Sequence, residues 1–269
     1  MKTRFFSGML LAIVVLGIWA IGGIALEILI YAAIAVSVFE VYHAFNHAGI
    51  RLPYAVGLFF VAMLPIAIHT FRIKGVLALF MFTGMLILAF QVFKADLTIQ
   101  HTAYTFFTLF YPCMMLSMLP MMLTFPGEGG RMALIMTIAC ACVTDIFAYF
   151  TGMLCGRHKL CPTISPKKTV EGALGGVLGG MLAGIIVGLC IQPFFIYRIA
   201  LWHLMLLGLL CSIAGQVGDL AASIIKRSTG IKDFGKIFPG HGGVMDRMDS
   251  ILFVAPIVYC YFSLVIFSV

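Results

Sequence analysis

Asp219 falls late in an otherwise apolar run, in the sequence Gly215-Gln216-Val217-Gly218-Asp219. An unpaired carboxylate at membrane depth costs on the order of 2.5–3.5 kcal/mol even on insertion scales, so something must compensate it. On a helix, Asp219, Ser223, Lys226 and Arg227 share one face, because offsets of four, seven and eight return to the same side. An internal ion pair between Asp219 and Lys226 is one solution. The next segment offers another: Lys232-Asp233-x-Gly235 leads to Phe238-Pro239-Gly240-His241-Gly242-Gly243 and then Asp246-Arg247-x-Asp249. Asp246 and Asp249 face the same way if a helix begins there. Magnesium takes oxygen ligands and usually keeps waters and substrate phosphates. Asp219, Asp246 and Asp249 are therefore the candidate metal ligands of a magnesium-triphosphate site.

The residues between them suit that chemistry. Glycines around His241 let the backbone approach phosphate oxygens, and Gly242 and Gly243 can present N–H groups as an anion nest. Lys226, Arg227, Lys232 and Arg247 add fixed positive charge. Upstream, Asp145-Ile146-Phe147-Ala148-Tyr149 places a carboxylate, expected to be buried, one turn from a tyrosine. Ser165-Pro166-Lys167-Lys168-Thr169-Val170-Glu171 follows. Pro162 and Pro166 argue against a helix through this loop, whose hydroxyls and lysines can hold a phosphate head group or a triphosphate. The bland alternative for those lysines is a topological role at a membrane boundary. His43, His47, His69, His101, His158 and His203 have no ligand spacing and read as interfacial or structural. There is no nucleophile with an evident base, no P-loop and no dinucleotide glycine pattern.

The elements that position these residues must be membrane helices. Hydrophobic residues make up 62% of the chain and charged residues 10%, against about 45–50% and about 25% in soluble domains. Breaks in the apolar runs predict about nine spans, near 5–20, 22–42, 53–70, 76–93, 103–123, 132–154, 172–195, 202–225 and 250–268. The fold class is an all-α, polytopic membrane protein. Residues 1–131 form N-terminal membrane helices that serve as scaffold. Residues 132–269 form a catalytic part with polar loops at 155–171 and 226–249. The start, Met1-Lys2-Thr3-Arg4 before an apolar run, lacks a convincing cleavage site and reads as a retained first helix. Glu27, Glu40, Pro53 and Pro65 warn of tilted, kinked or partly interfacial helices. With the N-terminus cytoplasmic, only Arg72, Lys74, Arg131 and Arg198 of the 17 lysines and arginines fall outside, which satisfies the positive-inside rule. Both polar loops then face the cytoplasm. Gly172, Gly176, Gly180, Gly184 and Gly188 recur at four-residue spacing, a stripe that brings one helix face against a neighbouring backbone. The 8 cysteines sit mostly in apolar runs without metal-ligand spacing and read as small packing residues. The net charge of +7 does not form the exposed basic stripe with interleaved aromatics that nucleic acid requires.

These residues resemble a known family. The pattern Ser223-x-x-Lys226-Arg227, Lys232-Asp233-x-Gly235, Phe238-Pro239-x-His241-Gly242-Gly243 and Asp246-Arg247-x-Asp249 is similar to the signature of phosphatidate cytidylyltransferases. The Gln216-x-Gly218-Asp219 lead-in, the Asp145 segment and the Ser165 to Gly172 loop look like that family too. The resemblance covers roughly residues 140–260, and Val170 departs from it where the family commonly has tryptophan. It implies transfer of CMP from CTP to phosphatidate, giving CDP-diacylglycerol and pyrophosphate for phospholipid synthesis in a bacterial inner membrane, with the site facing the cytoplasm. Catalytic roles would fall to Asp219, Lys226, Asp246 and Asp249. Substrate contacts would fall to Asp145, Tyr149, Ser165, Lys167, Lys168, Thr169, Glu171, Ser223, Arg227, Lys232, His241, Gly242, Gly243 and Arg247. Mg²⁺ is the expected cofactor, a second cation being compatible with two-metal chemistry. CTP, phosphatidate and membrane lipids are the expected partners, and a homodimer is compatible with them. Rival readings are a CTP-dependent enzyme acting on another lipid phosphate or a polyprenol, a CDP-alcohol phosphotransferase, whose acidic pattern does not occur here, and an ion-coupled transporter using Asp145 and Asp219.

Overall fold

In lipid every backbone N–H and C=O must be satisfied within the chain, so apolar runs of this length become helices. The computed structural model describes residues 22–93, 99–196, 198–238 and 242–267. Seven helices among them are long and apolar enough to cross a membrane. This makes the chain a multi-pass membrane protein. The span expected at 5–20 lies outside the described residues.

The chain divides into two compact units. The first contains the described residues up to Met121 together with Ser228–Met248. It begins with α1 (Gly23–His47) and α2 (Tyr54–Phe93). Asn46 closes the link between them by accepting from the Leu52 N–H at 2.6 Å. At 40 residues, α2 would be about 60 Å long if straight, twice the thickness of a bilayer core of about 30 Å. It is not straight: Arg72 is non-helical, with φ 51° and ψ −135°. A Cβ on Gly75 would collide with the Ala67 carbonyl, although residues eight apart in a continuous helix are separated by about 12 Å. The chain therefore doubles back near Arg72, between the spans expected at 53–70 and 76–93. Pro65 stays inside helix. The short helices α3 (Ile99–Thr108) and α4 (Met118–Met122) are joined by a π-helical turn at Leu109–Met114 that contains Pro112. Burial of Ile34, Val38, Tyr42, Phe60, Leu64 and Leu109 forms this unit's core.

The second unit contains Met122–Arg227 and the chain from Asp249. Its helices are α5 (Gly129–Cys155), α6 (Val170–Ile186) and α7 (Leu201–Ser228), joined by the body of α8 (Met245–Tyr261). The loop between α5 and α6 is an antiparallel hairpin, β1 (Lys159–Cys161) with β2 (Ser165–Thr169). This small sheet is an addition to the all-α expectation, while the absence of helix there agrees with Pro162 and Pro166. The glycine stripe packs as its spacing implies. A Cβ on Gly180 would stand 2.6 Å from the Gly208 carbonyl oxygen, and one on Gly184 would strike the Leu204 carbonyl. A Cβ on Gly172 would stand 2.7 Å from the Ala148 carbonyl oxygen. α6 thus lies against the backbones of both α5 and α7, while Leu174 and Leu178 on its other side stay exposed to the surroundings.

Gly180→Leu should lower the thermal stability of the purified protein by about 1–3 kcal/mol or more, as overpacking does. Leu178→Ala should stay within about 0.5 kcal/mol of the parent, as surface changes do. Thermal unfolding in one detergent checks both; equal effects would remove the close approach from the fold's requirements.

Candidate active site

Helix α7 runs without interruption through Asp219, Ser223, Lys226 and Arg227, so the shared face expected from their spacing is present. A partner for Asp219 also comes from another element. Lys168 on β2 reaches across to the carboxylate and forms an ion pair between its Nζ and Asp219 Oδ2. The side chains are 27% and 28% exposed, so the pair is partly shielded from water and stronger than a surface pair. Lys167, its neighbour on the strand, points outward and is exposed.

The hairpin is set in place by its own polar contacts. Glu171, in the first turn of α6, accepts from the Arg157 N–H at 3.0 Å and pairs with His158 Nδ1 at 2.6 Å. Thr169 caps α6, its hydroxyl accepting from the Gly172 N–H at 3.1 Å. Gly152 and Gly156 at the end of α5 leave room for that threonine. Val170, at the departure from the family pattern, is the first residue of α6 and is partly exposed. Ser165 and Thr169 therefore lie on the strand that delivers Lys168, and Glu171 anchors its base.

Asp249 belongs to the same unit. It lies within electrostatic range of Asp219, Lys226 and Asp145, and Ser250 Oγ approaches Asp145 Oδ2 at 3.5 Å. A Cβ on Gly218 would stand 2.7 Å from the Asp249 carbonyl oxygen, so the glycine before Asp219 lets α7 and α8 meet. Asp145 itself is exposed on α5, which corrects the expectation of a buried carboxylate: it faces Ser250 of α8 and still keeps contact with the surroundings. Tyr149, one turn on, is 65% exposed and meets the edge of Phe150.

The signature loop has its own organisation in the other unit. Asp246, in the first turn of α8, is buried, and its Oδ2 accepts from the N–H groups of Phe234 at 2.8 Å and Gly243 at 3.0 Å. The anion met by the Gly243 N–H is thus a protein carboxylate. Gly242 has φ 82°, a left-handed conformation that favours glycine, and its carbonyl accepts from the Phe238 N–H at 2.9 Å. His241 lies outside the described residues. Lys232 and Arg247 are exposed. Sequence reasoning passed over Glu40 as a sign of tilt. It is buried and accepts from the backbone of Val244 and Met245, and its ionisable character inside an apolar helix was the signal that could have found it.

The donor set suits magnesium in kind, since the acidic side chains near Asp219 offer only oxygen. Among the described residues no three histidines, cysteines or acids form a ready cage. Magnesium ordinarily takes one or two carboxylates and completes its shell with water and substrate phosphate. Asp219 and Asp249 fit that arrangement.

Fold and site together define a multi-pass membrane protein in which carboxylates, a lysine-bearing hairpin and a glycine-rich loop are built onto the later helices. Residues 2–265 match the model of the cytidylyltransferase family, and the chain belongs to that family of nucleotide-transferring enzymes. It is 35% identical over 277 aligned positions to a phosphatidate cytidylyltransferase of Bacillus subtilis, covering 100% of this chain and 99% of that one. It is 46% identical over 116 positions to the phosphatidate cytidylyltransferase of Staphylococcus saprophyticus and 42% over 116 to that of Staphylococcus aureus, in each case 43% of both chains. The family match reaches well beyond residues 140–260, over which the resemblance is legible, and takes in the N-terminal spans.

Replacing Thr169 by valine, which keeps the shape and loses the cap, should cost about 1 kcal/mol of stability. Thr169→Ser should retain most of it. Thermal unfolding of the three proteins in one detergent reads the difference, and a valine variant as stable as the parent would show that the hydroxyl does not hold the hairpin to α6.

Proposed function

We propose that this protein transfers CMP from CTP to phosphatidate, yielding CDP-diacylglycerol and pyrophosphate, with Mg²⁺ held by Asp219, Asp246 and Asp249. The observation that carries the reading is the ion pair between Lys168 and Asp219. It joins the lysine hairpin to the signature helix, and so supplies in one place the acid and base that a metal-triphosphate needs. Family membership and the relatives named phosphatidate cytidylyltransferase support the choice of substrates.

A phosphate nucleophile is already ionised near neutral pH, so positioning and charge neutralisation dominate over proton removal. The phosphatidate oxygen attacks the α-phosphorus of CTP in line, forming the new P–O bond as the bond to the β-phosphate oxygen breaks, and pyrophosphate leaves. When bound, Mg²⁺ neutralises phosphate charge as a Lewis acid. Without substrate Lys168 holds the Asp219 carboxylate, and with substrate the same ammonium is free to serve a phosphate oxygen. Lys167, exposed on the other face of the strand, adds positive charge to the approach, and Ser165 offers a hydroxyl on that same face. Lys226, Arg227, Lys232 and Arg247 attract the nucleotide, and His241 and Gly242 meet its phosphates, on a loop whose path Gly243 allows by leaving room for the Glu40 carboxylate.

The N-terminus and both polar loops lie on the cytoplasmic side of the bacterial inner membrane in this reading, where CTP is available. Phosphatidate keeps its acyl chains in the bilayer during reaction, because each CH₂ drawn into water costs about 0.8 kcal/mol.

The direct test is purified protein with radiolabelled CTP, phosphatidate and Mg²⁺. Lipid-linked cytidine and pyrophosphate are expected. Product formed only with a polyprenol or another lipid phosphate would move the reading to that substrate. Asp219→Asn and Asp246→Asn should each lower kcat by about 100-fold or more while the proteins stay folded, since an amide cannot match a carboxylate's charge on the metal. Parent-like turnover at limiting Mg²⁺ would remove the residue from the ligand set. Lys167→Ala and Lys168→Ala should chiefly raise apparent KM, by about tenfold for a charge-assisted contact of about 1.5 kcal/mol. Unchanged kinetics would leave these lysines a topological role alone.

A further inference from the structure

Glu40 lies in α1, more than half the chain away from the signature loop in sequence, yet the residue is only 4% exposed and its carboxylate is set against that loop. Glu40 Oε1 accepts from the Val244 N–H at 3.2 Å and Oε2 from the Met245 N–H at 2.8 Å. These two amides stand at the start of α8, where no carbonyl of the same helix can receive them. The positive end of the helix dipole favours a carboxylate there.

The loop is shaped around this acid. A Cβ on either Gly235 or Gly243 would collide with the Glu40 carboxylate, so two glycines of the signature serve to admit a protein side chain. The next amides along belong to Asp246: its Oδ2 takes the N–H groups of Gly243 and Phe234. Gly243, Val244 and Met245 are thus three successive residues whose N–H groups are divided between two buried carboxylates, one from α1 and one from α8. The backbone held by Glu40 is the backbone from which Asp246 projects, one residue further on.

We propose that Glu40 is a positioning residue for Asp246, fixing the start of α8 so that this carboxylate is presented to the metal. The proposal rests on Asp246 being a metal ligand. It gives an N-terminal helix a part in the chemistry, acting through the loop and without contact to substrate. A purely structural cap would lower stability and leave the surviving folded enzyme with parent-like metal dependence. A positioning residue changes the metal dependence itself.

The test uses the full chain, purified in detergent, with Glu40→Gln, which keeps the shape and removes the charge. Mg²⁺ titration of the cytidylyltransferase assay should show the half-saturating Mg²⁺ concentration raised about tenfold, roughly what loss of one charge-assisted contact gives. Apparent KM for phosphatidate should be little changed. Hydrogen exchange of the segment 234–248 without substrate or metal should be faster than in the parent, and exchange in α7 unaltered. Glu40→Asp, which keeps the charge on a shorter stem, should restore part of the metal dependence. It also carries both readouts if the glutamine variant does not fold. Gly235→Ala should reproduce the same loosening from the loop side, and its effect should shrink in a Glu40→Ala background. Faster exchange with Mg²⁺ dependence and kcat unchanged would overturn the positioning role while leaving the function intact. Unchanged exchange in the segment would overturn it outright. If instead Asp246→Asn is fully active, the ligand assignment fails by that separate measurement, and exchange still judges whether Glu40 holds the loop.

Discussion

A carboxylate carried into an apolar protein by a membrane helix cannot be left to water, and each one must be met by a cation or by backbone N–H groups within reach. Three acids here illustrate how that requirement organises the chain. Asp219 is met by Lys168, which draws a hairpin onto α7. Asp246 is met by the amides of Phe234 and Gly243, which curls the loop back over the start of α8. Glu40 is met by Val244 and Met245, which brings the first described helix to that same loop. Remove these pairings and the hairpin, the loop and the entry to α8 each lose one of the contacts that hold them.

Glycine is what allows such close approach in a chain whose apolar surface is given over to lipid. Along α6 the missing side chains bring backbones together, with Gly180 against Gly208 and Gly172 against Ala148. In the loop, Gly235 and Gly243 leave the volume that the Glu40 carboxylate fills. The one residue type therefore has two uses: helix packing where lipid provides no hydrophobic drive between helices, and admission of a buried acid where polar chemistry is assembled. Small-residue packing of α6 also bears on the hairpin, because Thr169 caps that helix and sits against Gly152 and Gly156 of α5. The packing of α6 on α5 and the placing of the lysine strand are consequently linked.

Much was legible in the residues before any coordinates. Apolar runs of about 20 residues mark helices because hydropathy and backbone satisfaction are local properties. Seven such helices stand among the described residues. The signature from Ser223 to Asp249 carried the family, because a long gapped pattern of acids, cations and glycines is seldom produced by packing alone. The four-residue glycine spacing carried the tight packing of α6, since helical periodicity places those positions on one face.

Only the tertiary structure decided who pairs with whom. Asp219 and Lys226 share a helix face, a relation visible in the local geometry, whereas the partner Lys168 arrives from another element. Periodicity contains no information about side chains on a different strand. Glu40 stands 204 residues before Val244, so no local pattern could have joined it to the loop. The reversal at Arg72, with Pro65 kept inside helix, followed from how α2 packs back on itself through Gly75 and not from the residue most prone to break a helix. Sequence by itself determined which segments are helices and which residues are able to do chemistry, because both follow from local composition and spacing. Their partners depend on contacts between segments far apart in the chain, and those exist only once the helices have packed.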